Sequence, residues 1–220
     1  MTAKRSFWSS TIGQKIVMAV TGVILFGFVL GHMVGNLQLY LGAQALNDYA
    51  VWLREFAHGA ALPAARITLI VAVILHIWSA TSLTLASRAA RPTRYRMWEA
   101  RESTYASRTM RWGGVIILLF VIYHLMHFTW GNAHPSFVDK DVYHNVVTGF
   151  AVPWVSAVYI LAMLALGLHL KHGLWSMFQT LGVSHPRYER YARVFAAVFA
   201  AVVVLGNISF PIAVLAGWVR

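Results

Sequence analysis

TMRWGGVIILLFVIYHLMHFTW, residues 109–130, is long and apolar enough to cross a bilayer, and it carries His124 and His127 into the hydrocarbon with it. About 20 such residues span the roughly 30 Å hydrocarbon core at about 1.5 Å of helical rise each. Histidine is costly there, so two in one span mark a site with a nameable partner. Four further stretches read the same way: Gly13–Leu39, Pro63–Ser87, Pro153–Phe178 and Arg193–Trp218. The expected fold is an all-α integral membrane protein, a single domain over residues 1–220 with five transmembrane helices in one bundle. Pro63 and Pro153 suit first helical turns, where the missing N–H costs nothing, and Pro211 is expected to kink the fifth span.

The composition agrees. With 59% hydrophobic and 11% charged residues, 220 residues lack the polar surface that a water-soluble domain of this size needs. The chain has no cysteine, which excludes disulfides, an iron–sulfur cluster held here and covalently attached haem. Lys4 and Arg5 before an apolar run loosely resemble a secretory signal, yet the run exceeds signal length without a small-x-small cleavage site. It reads as a retained first helix.

A formal charge of +11 raises the question of nucleic acid. Its placement answers otherwise. Lys4, Arg5 and Lys15, the run Arg88, Arg91, Arg94, Arg96, Arg101, Arg108 and Arg111, and the group Lys171, Arg187, Arg190 and Arg193 put 14 of 18 basic residues on one side. Arg54, Arg66, Lys140 and Arg220 fall on the other. Basic residues collect on the cytoplasmic face, so the N-terminus is expected inside and the C-terminus outside, with no nucleic-acid partner. Trp8, Trp130, Trp154 and Trp218 read as interfacial anchors. In the first outer connection, from Gln44 to His58, Leu46, Tyr49, Leu53 and Phe56 recur at helical spacing opposite Asn47, Asp48, Arg54 and Glu55, a pattern for a short interfacial helix.

Four of the five spans hold a histidine well inside: His32, His76, His124 with His127, and His169 with His172 near the inner end. Neutral imidazole is a good ligand for haem iron, and a bundle-core haem needs one from each of two helices at matching depth. Counted from inside, His32 lies about 26 Å deep and His124 about 20 Å; counted from outside, His76 lies about 20 Å deep and His169 about 24 Å. The four sort into an outer pair and an inner pair roughly 15 Å apart along the membrane normal. Depth does not choose between His124 and His127. His58, His134, His144 and His185 fall in connections and are expected to face solvent.

These residues carry a family resemblance. Thr21-Gly22 followed by Gly31-His32-Met33 and Gly35-Asn36, then Leu75-His76, then Phe120-Val121-Ile122-Tyr123-His124, then His169 with Gly173-Leu174-Trp175-Ser176, resembles the single-chain dihaem cytochrome b anchor of succinate dehydrogenase and fumarate reductase. The resemblance covers nearly the whole chain. It implies two b haems with axial ligand pairs His32/His124, distal, and His76/His169, proximal, leaving His127 and His172 as non-ligands. It further implies a subunit of the cytoplasmic (cell inner) membrane. Electrons from succinate would reach it from a flavoprotein subunit carrying FAD through an iron–sulfur subunit, and leave to a quinone, commonly menaquinone in this dihaem type. The stretch Arg88–Arg111, with Tyr95, Trp98 and Tyr105, would dock the iron–sulfur subunit. Glu55 falls at an offset from His32 similar to that of a quinone-site glutamate in a fumarate reductase. Gly167 stands where that relative has a membrane glutamate, so its proton route is not expected here.

Two other classes compete: a cytochrome b anchor of another respiratory dehydrogenase or hydrogenase, and a haem-free transporter or structural membrane protein. The first generally has fewer spans and other histidine placements. The second needs a polar pathway or broken helices at mid-membrane, and no acidic residue lies within the spans.

Overall fold

A computed structural model describes residues 7–90, 105–183 and 185–220, with the backbone alone at 105–108. Seven α-helices are built from them: α1 (Thr11–Asn36), α2 (Ala43–Glu55), α3 (Ala61–Ala89), α4 (Tyr105–Phe128), α5 (Val142–Phe150), α6 (Pro153–Thr180) and α7 (Pro186–Leu215). Five of these, α1, α3, α4, α6 and α7, are long and apolar enough to span a bilayer, which makes the chain a multi-pass membrane protein. The expected anchors Trp8, Trp130, Trp154 and Trp218 are all exposed, near the ends of these spans. Lys4, Arg5, Arg91, Arg94, Tyr95, Arg96, Trp98 and Arg101 lie outside the described residues, and so do the side chains of Tyr105 and Arg108. Arg88 and Arg111, which flank that stretch, are exposed.

Local chemistry sets the helix ends. The Ser10 hydroxyl accepts the Gly13 N–H at 2.9 Å and starts α1, which tightens into a 3-10 turn over Leu37–Leu41 and stops at Gly42, whose φ of 100° suits glycine. Helix α7 begins well before the expected Arg193. Pro186 opens it, the His185 ring accepts the Arg187 N–H, and a Glu189–Arg193 pair at 2.6 Å supports the polar first turns that hydropathy passes over. It runs on through Pro211, a buried residue, to Leu215. The interfacial helix forms as α2 but ends at Glu55. Phe56 is therefore not part of its buried face: it takes extended backbone, stays exposed and stacks near Trp52 at 5.0 Å. Helix α5 was not anticipated, because nine residues give little periodicity; it is held by Asp141, whose carboxylate accepts the His144 N–H at 3.0 Å.

Both short helices lie at one end of the bundle, and together they form a cap. Asn47 joins them, its amide donating to Asp141 at 3.0 Å and its carbonyl accepting the Tyr143 N–H at 3.0 Å. Under the cap lies the larger packed core, with Met33, Leu39, Leu46, Phe150, Val155, Tyr159, Phe210, Ala213 and Val214. Below it, α6 packs along α7 through small residues, among them Ala162, Ala192, Ala196 and Ala200. A Cβ at Gly167 would run into Val204, and one at Gly206 into the Met33 thioether. Close backbone approach is how helices associate in lipid, where apolar burial between them gains little.

Helix α1 packs along α3, and α4 along α6. Between α1 and α4, and between α3 and α6, the described contacts are those of side chains, the histidine rings among them.

Asn47→Ala removes both cap hydrogen bonds and is expected to cost about 1–2 kcal/mol, read as lowered thermal stability of the detergent-solubilised protein. The Asp141 carboxyl is held below its ordinary value, first by the His144 N–H and then by the Asn47 amide. A lowered folded pKa means that its contribution is complete above about pH 4 and fades as pH falls through the lowered value. Asp141→Asn should flatten that acid limb, and an unaltered limb would show that the cap is not anchored there.

Candidate functional site

The paired histidines meet between α1 and α4 and between α3 and α6. On the cap side, the His32 and His124 ring centres are 5.9 Å apart; further from the cap, those of His76 and His169 are 6.3 Å apart. His32 and His124 stand one turn from the cap-side ends of α1 and α4, whereas His76 and His169 lie about midway along α3 and α6, which gives two levels.

Neighbours fix the rings. The Thr21 hydroxyl donates to the Val17 carbonyl at 2.7 Å, so toward His76 Nδ1, at 3.1 Å, its oxygen acts as acceptor. His76 then carries its proton on Nδ1 and presents the Nε2 lone pair. His124 has the Tyr159 hydroxyl 3.3 Å from its Nδ1. His32 stacks on Phe28, with ring centres 5.4 Å apart, and its Nε2 lies 3.3 Å from the Asn36 amide, a contact that must give way if Nε2 binds a metal. His169 buries its Nδ1 with no hydrogen-bond partner and stands beside a cleft of about 180 Å³ lined by Thr109, Trp112, Gly113, Ile116, Ala165 and Leu168.

Among the described residues no group of three or more His, Cys, Asp or Glu side chains could hold a bare metal ion. Two facing imidazoles instead fit a metal whose remaining ligands come from a planar group between them. Rings bound to one metal from opposite faces at about 2 Å have centres about 6 Å apart, which matches both pairs. In donor type and in separation, two imidazoles at each of two levels are compatible with bis-histidine haem ligation.

His127 is almost wholly buried at 1% exposure, outside both pairs, with its Nδ1 3.0 Å from the Tyr159 hydroxyl. His134 corrects an expectation: it is buried, not solvent-facing. The turn after α4 folds back beneath α5, where its Nδ1 accepts the Ser136 N–H at 3.1 Å, its Nε2–H donates to the Asn145 carbonyl at 2.9 Å, and its ring stacks on His127 at 4.7 Å. His58 and His185 are exposed, and His144 and His172 half-buried. Glu55 lies exposed at the last residue of α2, before a reversal in which Ala57, His58 and Gly59 are all left-handed. Tyr159 and Asn145 carried no expectation; the available signal was that a phenol inside a span needs a polar partner.

The fold and the facing pairs define a membrane protein built around two intramembrane imidazole sites. Residues 85–205 match the family model of the succinate dehydrogenase/fumarate reductase transmembrane subunit, and the chain belongs to that family. No curated protein and no solved structure matches it.

Gly149 keeps the cap-side cluster compact, since a Cβ there would lie 2.8 Å from His127 Cε1 and 3.0 Å from His134 Nε2. Gly149→Ala is expected to cost about 1–3 kcal/mol through overpacking, measured as thermal unfolding of the solubilised protein. A wild-type transition would show that the two rings are free to move.

Proposed function

We propose that this chain is the membrane anchor and electron-transfer subunit of a succinate:quinone oxidoreductase. In this reading it takes electrons from an iron–sulfur subunit and delivers them, by way of two b haems, to a quinone, menaquinone in the type it resembles. FAD and the iron–sulfur clusters reside in the partner subunits, and the chain itself contributes no dicarboxylate or flavin site. The observation that carries the reading is the pair of facing histidine sets at two levels, in a chain of this family.

His32 with His124, and His76 with His169, would be the axial ligands. A haem held by two imidazoles supplies one-electron chemistry at a potential set by its ligands and by burial. The chain's own residues do the rest. Thr21 holds the His76 tautomer, Tyr159 engages His124, and the apolar faces of the spans keep water from the rings. The cap end is taken as the outer face, with the N-terminus in the cytoplasm, in accord with the basic bias toward the opposite end. The arginine-rich connection there would dock the iron–sulfur subunit.

His76→Ala and His169→Ala are each expected to remove the haem further from the cap and leave the cap-side one, read in reduced-minus-oxidised spectra of membranes, with succinate:quinone turnover lost. Loss of the cap-side spectrum instead would refute the pairing. Glu55 is proposed for the quinone site on the outer side. Glu55→Gln should depress quinone turnover while leaving both haem spectra intact, and full turnover would remove it from that site.

A further inference from the structure

Tyr159 is held so that its hydroxyl cannot turn away. Exposed by only 6%, its ring lies 4.9 Å from Phe120, 5.6 Å from Phe128 and 4.9 Å from Phe150, measured between centres. Its oxygen stands 3.3 Å from His124 Nδ1 and 3.0 Å from His127 Nδ1. A hydroxyl has one proton, so it can donate to at most one of these nitrogens while accepting from the other.

Ligation resolves the choice. If His124 gives its Nε2 lone pair to iron, its proton is on Nδ1 and points at the phenol oxygen; the phenol proton then goes to His127 Nδ1. His127 is in turn fixed between Tyr123, at 5.5 Å and 9° between rings, and His134, at 4.7 Å and 22°. Both nitrogens of His134 are engaged by the turn and by α5, and Gly149 closes the space beside the two rings. The result is a one-way chain of hydrogen bonds, His124 to Tyr159 to His127, anchored in the cap. In the other pair Nδ1 of His169 is buried without a partner, and His76 meets a threonine hydroxyl that donates to its own helix's carbonyl; among the described residues no aromatic hydroxyl or second histidine backs either ring there by a hydrogen bond.

We infer that Tyr159 and His127 are positioning residues for the cap-side centre, which orient the His124 ring and draw on its N–H so that the iron it binds favours the ferric state. An acceptor on a ligand's outer N–H makes the imidazole a stronger donor, and a second acceptor behind the phenol strengthens the first. The inference rests on the proposed haem ligation by His124, and it assigns the asymmetry between the two centres to three side chains and not to burial alone.

The test is a spectroelectrochemical titration of the purified complex, wild type beside Tyr159→Phe and His127→Leu. Tyr159→Phe keeps the ring in its aromatic cage, so both haems should remain; the cap-side midpoint should rise and the other stay in place. His127→Leu should raise the same midpoint by less, and His127→Asn, which restores an acceptor, should return it toward wild type. Unchanged midpoints in Tyr159→Phe and His127→Leu, or a shift confined to the other centre, would overturn the inference while leaving the ligand assignment standing. If Tyr159→Phe does not assemble, the His127 pair of variants decides alone. A wild-type complex without haem would overturn the ligation itself.

Discussion

An imidazole inside a bilayer has two ring nitrogens and no water to satisfy them. Everything else in this bundle is arranged around that constraint. Each unsatisfied polar group in hydrocarbon costs several kcal/mol by order of magnitude, so a span that carries histidine at mid-depth must offer it a partner or a ligand. Thr21, Tyr159, Asn36 and the cap turn engage particular ring nitrogens, and His169 Nδ1 is left buried without a partner. The helices then divide the labour. Helices α6 and α7 pack tightly through alanine and glycine and give rigidity, whereas α1, α3 and α4 keep faces open for lipid.

The cap explains why the two levels differ. It ties the loop between the first two spans to the loop between the third and fourth through Asn47 and Asp141, and it encloses the more aromatic core of the molecule. The cap-side pair therefore borders a network of Phe128, His127, His134 and Tyr159, while in the other pair His76 meets Thr21 and His169 stands beside a cleft. Two chemically similar histidine pairs in one bundle thus meet unlike surroundings.

Much of this was legible in the sequence, for physical reasons that also mark where legibility ended. Spans declare themselves by length and apolarity, and histidine depth follows from helical rise, so an outer and an inner set of histidines could be read before any coordinates, while the choice of His124 over His127 came only from the family resemblance. Short capped elements do not announce themselves in that way. Helix α5 depends on one aspartate cap, and the early start of α7 on Pro186 and a Glu189–Arg193 pair, neither visible to hydropathy. The burial of His134 depends on a turn that folds its ring onto His127, and the Asn47–Asp141 link joins residues far apart in the chain. Tyr159 is the instructive omission. Its role comes from lying between two histidines on another helix, a relation that no spacing along one strand of sequence encodes.

Each pair of facing imidazoles is proposed to hold an iron porphyrin. The most direct measurement is the haem content of the purified, monodisperse chain by pyridine haemochrome, set against protein from amino-acid analysis. The account predicts two b-type haems per polypeptide, bound without covalent attachment. A folded, membrane-inserted product that remains colourless when haem is plentiful would contradict it.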